Sequence, residues 1–243
     1  MTAALVISPI CHARIDGMRP HTVHVVMAVK HIDRAKSRLA EVLTPHQRGR
    51  LVLAMFADTV VAATAVPEVR SLTVVTPDPL VAARARELGA HVLDEPATDH
   101  DPLNTALAAG AADVRDRHGP SHLLALQADL PALRAAELTD LLVVAPAGGR
   151  SVVIDHTGTG TAALLVRDAT APLTPRFGAD SARAHRDGGA RALAGHWPGL
   201  RCDVDTPADL DIVRALGVGE FTTRTLRAFG MSPHHGDPVR TVC

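Results

Sequence analysis

The chain has 243 residues, a formal net charge of −1, and a composition that is 47% hydrophobic, with one tryptophan, four phenylalanines and no tyrosine. A nearly neutral chain of this kind lacks both the clustered lysines and arginines that hold nucleic acid and the aromatic platforms on which single strands stack. Cys11, Cys202 and Cys243 are far apart with no C-x-x-C spacing, which excludes a zinc ribbon or a disulfide framework and fits a reducing cytoplasm.

The longest apolar run, Leu51 to Val66, is interrupted by Asp58 and Thr59. It is shorter than the roughly 18 residues that span a bilayer. The first residues lack the charged, apolar and small zones of a signal peptide. The expectation is a cytoplasmic protein with no membrane partner. The length favours one domain, placed at residues 22–229 between a flexible leader (1–21) and a disordered tail (230–243).

In chain order, Val23 to Val29 is a β-branched run that predicts a buried first strand. Thr44-Pro45 opens a helix that reaches about Ala65 and ends at Val66-Pro67. Ser71–Thr76 predicts a strand, Pro79–Leu88 a helix and Ala90–Leu93 a strand. Asp101-Pro102 opens a helix to about His118, followed by a strand over His122–Gln127 and a helix over Ala132–Ala145. Ser151–Ile154 and Thr161–Val166 predict later strands divided by Asp155-His156-Thr157-Gly158. Strands alternating with helices of ten or more residues indicate an α/β fold with a mostly parallel central sheet flanked by helices.

Ligands of such sheets bind outside the C-terminal ends of the strands, and several polar segments fall there. Leu200 to Leu210 carries Asp203 and Asp205 at the end of a β-like run, followed by Thr206 as N-cap and Pro207 as first helical residue. Residues i and i+2 of a strand share a face, so the two carboxylates would project together. A hard divalent cation that also holds a phosphate relieves their repulsion; the alternative is a solvated strand end before a capped helix. Asp129, in Gln127-Ala128-Asp129-Leu130-Pro131, leaves an apolar strand at the same edge, either for a metal-bound phosphate or as a helix cap.

Lys30, Lys36 and Arg38 form a basic loop after the first strand, suited to a triphosphate or simply solvated. Asn104, in the first turn of its helix, offers an amide that could read a nucleobase edge or cap locally. Gly158-Thr159-Gly160-Thr161 and the later Phe177-Gly178-Ala179-Asp180-Ser181 put glycine beside hydroxyls, a pattern that lets backbone N–H groups approach an anion or forms an ordinary turn. No P-loop and no G-x-G-x-x-G is present. Fourteen histidines show no ligand spacing, and His234-His235 is read as incidental.

Taken together, these segments resemble the guanylyltransferases of coenzyme F420 biosynthesis. Ala28-Val29-Lys30, Ala35-Lys36-Ser37-Arg38-Leu39, Asp101-Pro102-Leu103-Asn104, Gln127 to Pro131, Gly158 to Thr161, Phe177 to Ser181 and Cys202 to Pro207 carry the resemblance, which runs from about Val23 to about Leu226. One departure is Ala128, where a relative has glycine. The resemblance implies a Rossmann-like nucleotidyltransferase fold, with Mg²⁺ held by Asp129, Asp203 and Asp205. It implies phosphoenolpyruvate on Thr161, Gly178 and Ser181, and GTP phosphates on Lys30, Lys36 and Arg38, the catalytic cations. The implied reaction moves GMP from GTP to phosphoenolpyruvate and releases pyrophosphate. The unstable product would pass to a downstream transferase, and a homo-oligomer is compatible with the chain. Alternatives are 2-phospho-L-lactate or 3-phospho-D-glycerate as acceptor, a molybdopterin or sugar-phosphate acceptor, and a non-catalytic nucleotide-binding protein. The absence of a glycine-rich loop after the first strand counts against the molybdopterin and sugar families.

Overall fold

In the first strand, β1 (Val23–Ala28), consecutive side chains enter two different aliphatic layers. Val23, Val25 and Met27 belong to one buried cluster and Val26 to the other. That is what a strand with helices on both faces requires. The computed structural model describes residues 22–32 and 35–231. The expected leader and residues 232–243 of the expected tail lie outside the described residues.

One seven-stranded sheet runs in the order β3 (His91–Leu93), β2 (Val69–Val75), β1, β4 (Leu123–Leu126), β6 (Thr161–Val166), β5 (Arg150–Ile154), β7 (Arg191–Ala192). The β3-β2-β1-β4 portion is parallel, β6 is antiparallel to both neighbours, and β7 lies parallel to β5. The reversal at β6 follows from the short connection after β5: the Asp155 N–H donates to the Gly160 carbonyl at 3.0 Å, closing a hairpin where a parallel crossover would need a longer segment.

Helices α1 (Pro45–Thr64), α2 (Pro79–Glu87), α4 (Ala135–Val144), α7 (Pro207–Leu216) and α8 (Glu220–Ala228) contribute to the first cluster, through residues such as Phe56, Val81, Leu138, Leu210 and Leu226. Helix α3 (Pro102–His118) covers the other face with Leu107, Ala111 and Val114. It packs so closely that a Cβ on Gly110 would sit 2.7 Å from Val26 Cγ1 and 2.8 Å from Val75 Cγ2. The short helices α5 (Ser181–Asp187) and α6 (Pro198–Arg201) complete the set.

The helix starts follow local chemistry. Thr44 forms a capping box with Gln47, the Asp78 carboxylate accepts from the N–H groups of Leu80 and Val81, and Thr206 forms a capping box with Asp209; a proline follows each cap.

Two expectations need correction. The helix expected from Ala132 begins at Ala135, because a turn in which Leu133 N–H bonds the Leu130 carbonyl at 3.0 Å comes first. The β-like run at Leu200–Val204 is not a strand: Leu200 and Arg201 close α6, and residues 202–205 lie outside the sheet. Asp203 and Asp205 therefore do not converge by strand alternation.

The polar pair inside the long apolar run has structural partners. The buried Asp58 carboxylate accepts from the N–H groups of Phe221 at 3.0 Å and Thr222 at 2.8 Å, capping α8 from outside it. Burial raises the Asp58 pKa, and those hydrogen bonds oppose the shift. Thr59 Oγ1 donates to the Met55 carbonyl and accepts from Leu130 N–H at 3.0 Å. It thereby pins the residue next to Asp129. No helix among the described residues is long and apolar enough to cross a membrane.

Candidate functional site

Asp129, Asp203 and Asp205 come together at the end of β4. One carboxylate oxygen from each lies within 4.8 Å of the others. Asp129 is delivered by the turn that Thr59 holds. Asp205 is delivered by the cap of α7, where Asp209 Oδ2 accepts from Asp205 N–H at 3.0 Å, Thr206 N–H at 2.7 Å and Thr206 Oγ1 at 2.8 Å. The other Asp209 oxygen lies 3.0 Å from His156 Nε2, and His156 N–H donates to the Arg201 carbonyl at 2.8 Å. The β5–β6 turn, α6 and α7 are thus fastened beneath the two aspartates. The hydrogen bonds from Thr206 and Asp205 lower the Asp209 pKa against burial, so it remains a charged acceptor.

The third component is Lys36. Its ammonium donates to Asp129 Oδ2 and, at 2.7 Å, to Asp205 Oδ1. Burial pulls the Lys36 pKa down, but the charges of Asp129 and Asp205 outweigh it and hold the pKa above the usual lysine value. Lys36 has a φ of 55°, in the left-handed region that a lysine seldom adopts. Such conformations cost of order 1–3 kcal/mol and persist where surrounding contacts over-determine them. Among the described residues no cation is bonded to Asp203. Burial and the neighbouring Asp129 and Asp205 charges push its pKa up to about 7, with Lys36 opposing.

Asp129 Oδ1 is buried without a hydrogen-bond partner among the described residues. A set of three carboxylates, one with an orphaned oxygen and one protonated near neutrality, fits a hard divalent cation with oxygen ligands.

Two cavities meet here. The first, of about 310 Å³, is lined by Lys30, Lys36, Asp129 and the start of the loop after β1. The second, of about 600 Å³, is lined by Arg38, Thr161, Gly178, Ser181, Asp203 and the β5–β6 turn. Gln127 and Asp205 line both. The structure therefore divides the basic loop: Lys30 and Lys36 face the first cavity, while Arg38 faces the second beside the glycine and hydroxyl segments.

Thr161, Gly178 and Ser181, separated in sequence, share the second cavity. Ala182 N–H donates to the Thr159 carbonyl at 3.0 Å and joins the two segments. Gly178 has a φ of 127°, which favours glycine, and a Cβ on Gly160 would collide with Asp155 Oδ2.

Asn104 lines neither cavity. Its amide nitrogen donates to the Asp101 carboxylate and, at 2.9 Å, to the Phe177 carbonyl, while its oxygen accepts from Phe177 N–H at 2.8 Å. In this arrangement Asn104 holds the loop before Gly178. Ala128 is partly buried against the core.

Sequence reasoning passed over three residues. Asp209 had a local signal, the Thr206-Pro207-Ala208-Asp209 capping spacing. His156 and His185 had none, since their partners are 53 and 24 residues away.

The sheet order, the acidic cluster beyond β4 and the adjoining cavities define a nucleotidyltransferase. A solved nucleotidyl transferase from Methanothermobacter thermautotroptrophicus has the same fold, with a TM-score of 0.56 at 18% identity, covering 85% of this chain and 99% of that one. The chain belongs to the family described as guanylyl transferase CofC like, which it matches over residues 23–242. It is 60% identical over 227 residues to the phosphoenolpyruvate guanylyltransferase of Nocardia farcinica, covering 93% of this chain and all of that protein. It is 50% identical to the phosphoenolpyruvate guanylyltransferase of Rhodococcus erythropolis, covering 87% and 98% of the two chains.

Proposed function

We propose that this chain transfers GMP from GTP to phosphoenolpyruvate, with the nucleotide in the first cavity and the acceptor in the second. The observation that carries the reading is the junction itself. In a chain of this family, a cavity lined by Arg38, hydroxyls, glycines and five aspartates, Asp203 and Asp205 among them, shares Asp205 with a cavity lined by Lys30 and Lys36.

In this reading an oxygen of the acceptor phosphate forms a bond to the α-phosphorus of GTP. The bond from that phosphorus to the α–β bridging oxygen breaks, and its electron pair leaves with pyrophosphate. A phosphate dianion needs no general base, so the protein contributes positioning and charge neutralisation. Thr161, Gly178 and Ser181 hold the acceptor, Lys30 and Lys36 meet the nucleotide phosphates, and Arg38 approaches from the acceptor side. Asp129, Asp203 and Asp205 hold Mg²⁺, which when bound neutralises phosphate charge as a Lewis acid. The product, enolpyruvyl-diphospho-guanosine, is an activated diphosphate that a downstream transferase of coenzyme F420 biosynthesis would consume in the cytoplasm.

The test is pyrophosphate release together with the product mass, using GTP, Mg²⁺ and phosphoenolpyruvate, 2-phospho-L-lactate or 3-phospho-D-glycerate in turn. The expected result is fastest release with phosphoenolpyruvate and a product equal to its GMP adduct. Faster turnover with another acceptor, or no adduct with any, would overturn the reading.

A further inference from the structure

His185 lies behind the second cavity and outside its lining. It is buried, and both ring nitrogens are occupied. Nε2 is the acceptor for the backbone N–H of Arg176 at 2.9 Å, and Nδ1 lies 3.0 Å from Thr161 Oγ1. A backbone N–H can only donate, so Nε2 must carry the lone pair and Nδ1 the proton. The Phe177 ring packs edge-on against the imidazole at 5.1 Å between centroids. Burial lowers the His185 pKa, so the ring is neutral at pH 7 and the single tautomer is retained.

The consequence falls on Thr161. With a proton on Nδ1, which also has the Ser181 carbonyl within reach, the ring cannot accept from the threonine hydroxyl, whose own hydrogen is left to donate elsewhere. Thr161 lines the second cavity. We propose that His185 is a positioning residue that turns the Thr161 O–H donor toward the acceptor anion. This rests on the reading of the second cavity as the acceptor site. The opposite tautomer would let Thr161 donate to the ring and present a lone pair to the anion, which is repulsive.

Two near-isosteric variants separate this role from general support. The amide of His185→Asn reaches the place of Nδ1 and can still donate to Thr161. That of His185→Gln reaches the place of Nε2, keeping the Arg176 contact and losing the Thr161 one. Phosphoenolpyruvate and GTP dissociation constants are measured by calorimetry for both, for Thr161→Val and for the Thr161→Val/His185→Gln double variant, with thermal midpoints alongside. Losing a donor to a charged partner weakens acceptor binding about tenfold or more in Thr161→Val and in His185→Gln. His185→Asn should stay near the parent, the double variant should bind no worse than Thr161→Val alone, and GTP binding should not change.

If Thr161→Val leaves acceptor binding intact, the placement of the acceptor is wrong. If Thr161→Val weakens binding but His185→Gln does not, or if the double variant shows the product of the two single losses, the positioning role is wrong while the acceptor site stands. Should His185→Gln lower the thermal midpoint too far to measure, His185→Asn decides the matter: a tenfold loss there overturns the proposal.

Discussion

The two cavities are built from the same sheet edge but are held in different ways. On the side proposed for the acceptor, Thr161 is bonded to His185, Asn104 bridges Asp101 to Phe177, and Ala182 is tied to Thr159, so the polar groups are fixed by protein partners. On the side proposed for the nucleotide, Lys36 is itself bonded to Asp129 and Asp205. A divalent ion and a triphosphate would have to share those carboxylates with it or displace it. The first arrangement is preorganised. The second is an ion pair that must rearrange before it can serve a ligand, and the desolvated charges make that exchange depend on what replaces the ammonium.

The largest effect should come from the acids. Asp203→Asn or Asp205→Asn removes a charge that an amide cannot replace, and pyrophosphate release should fall about 10³-fold. The thermal midpoint without Mg²⁺ should not fall in Asp203→Asn, because a protonation-prone acid is being neutralised. Wild-type turnover in either variant would break the account of the cluster.

Arg38 comes from the basic loop yet faces the second cavity, so Arg38→Ala tells the two sides apart. Turnover should drop about 10²-fold with GTP affinity little changed, if the guanidinium acts on developing charge. Lysine should rescue only partly, because it keeps the charge without the bidentate fork. Unchanged steady-state kinetics would make the side chain a bystander.

Ser181→Ala should touch one side alone. A lost hydrogen bond to a charged acceptor is worth about 1.5–3 kcal/mol, or roughly 10- to 150-fold in acceptor affinity. Equal weakening of GTP would mean that the cavities have been assigned to the wrong substrates.

The smallest effect is on stability. Folded Asp203 holds its proton up to about pH 7, whereas an ordinary aspartate releases it near 3.8. The folded state therefore binds the proton more tightly. The resulting stability is complete below the unfolded pKa and is lost as pH rises through 7. His24 has the opposite sign: burial, then the His118 and Arg117 charges, lower its pKa to about 4, so its contribution is present above 6.5 and lost as pH falls toward 4. Between pH 4 and 7, the metal-free Asp203→Asn variant should thus gain thermal stability relative to the parent as pH rises. A constant difference across that range would refute the burial of Asp203 beside the Asp129 and Asp205 charges.

Much of this molecule is written locally in its sequence. Strand β1 and helices α1, α2 and α3 were legible because aliphatic period, a capping side chain and a following proline act over a few residues. Asp129, Asp203 and Asp205 could be expected to meet because each stands in a short polar segment at an element boundary. Strand alternation is not what joins Asp203 and Asp205: the hydrogen bonds of Asp209 set the backbone of Asp205 and Thr206. What was not legible depends on distant partners. Asp58 looked like a mere interruption of an apolar run, yet it caps a helix 163 residues away. Helix α8, without a side-chain cap of its own, was missed for that reason. His185 carries no motif because its meaning lies in two contacts that exist only after β6 and α5 have packed.

The most direct test of the central claim, attack across the junction of the two cavities on the α-phosphorus of GTP, uses phosphoenolpyruvate labelled with ¹⁸O in the non-bridging phosphate oxygens. Mass spectrometry of the products with Mg²⁺ present should find all the label in the guanosine diphosphate adduct and none in pyrophosphate. Label in pyrophosphate or inorganic phosphate, or release of GDP in place of pyrophosphate, would contradict it.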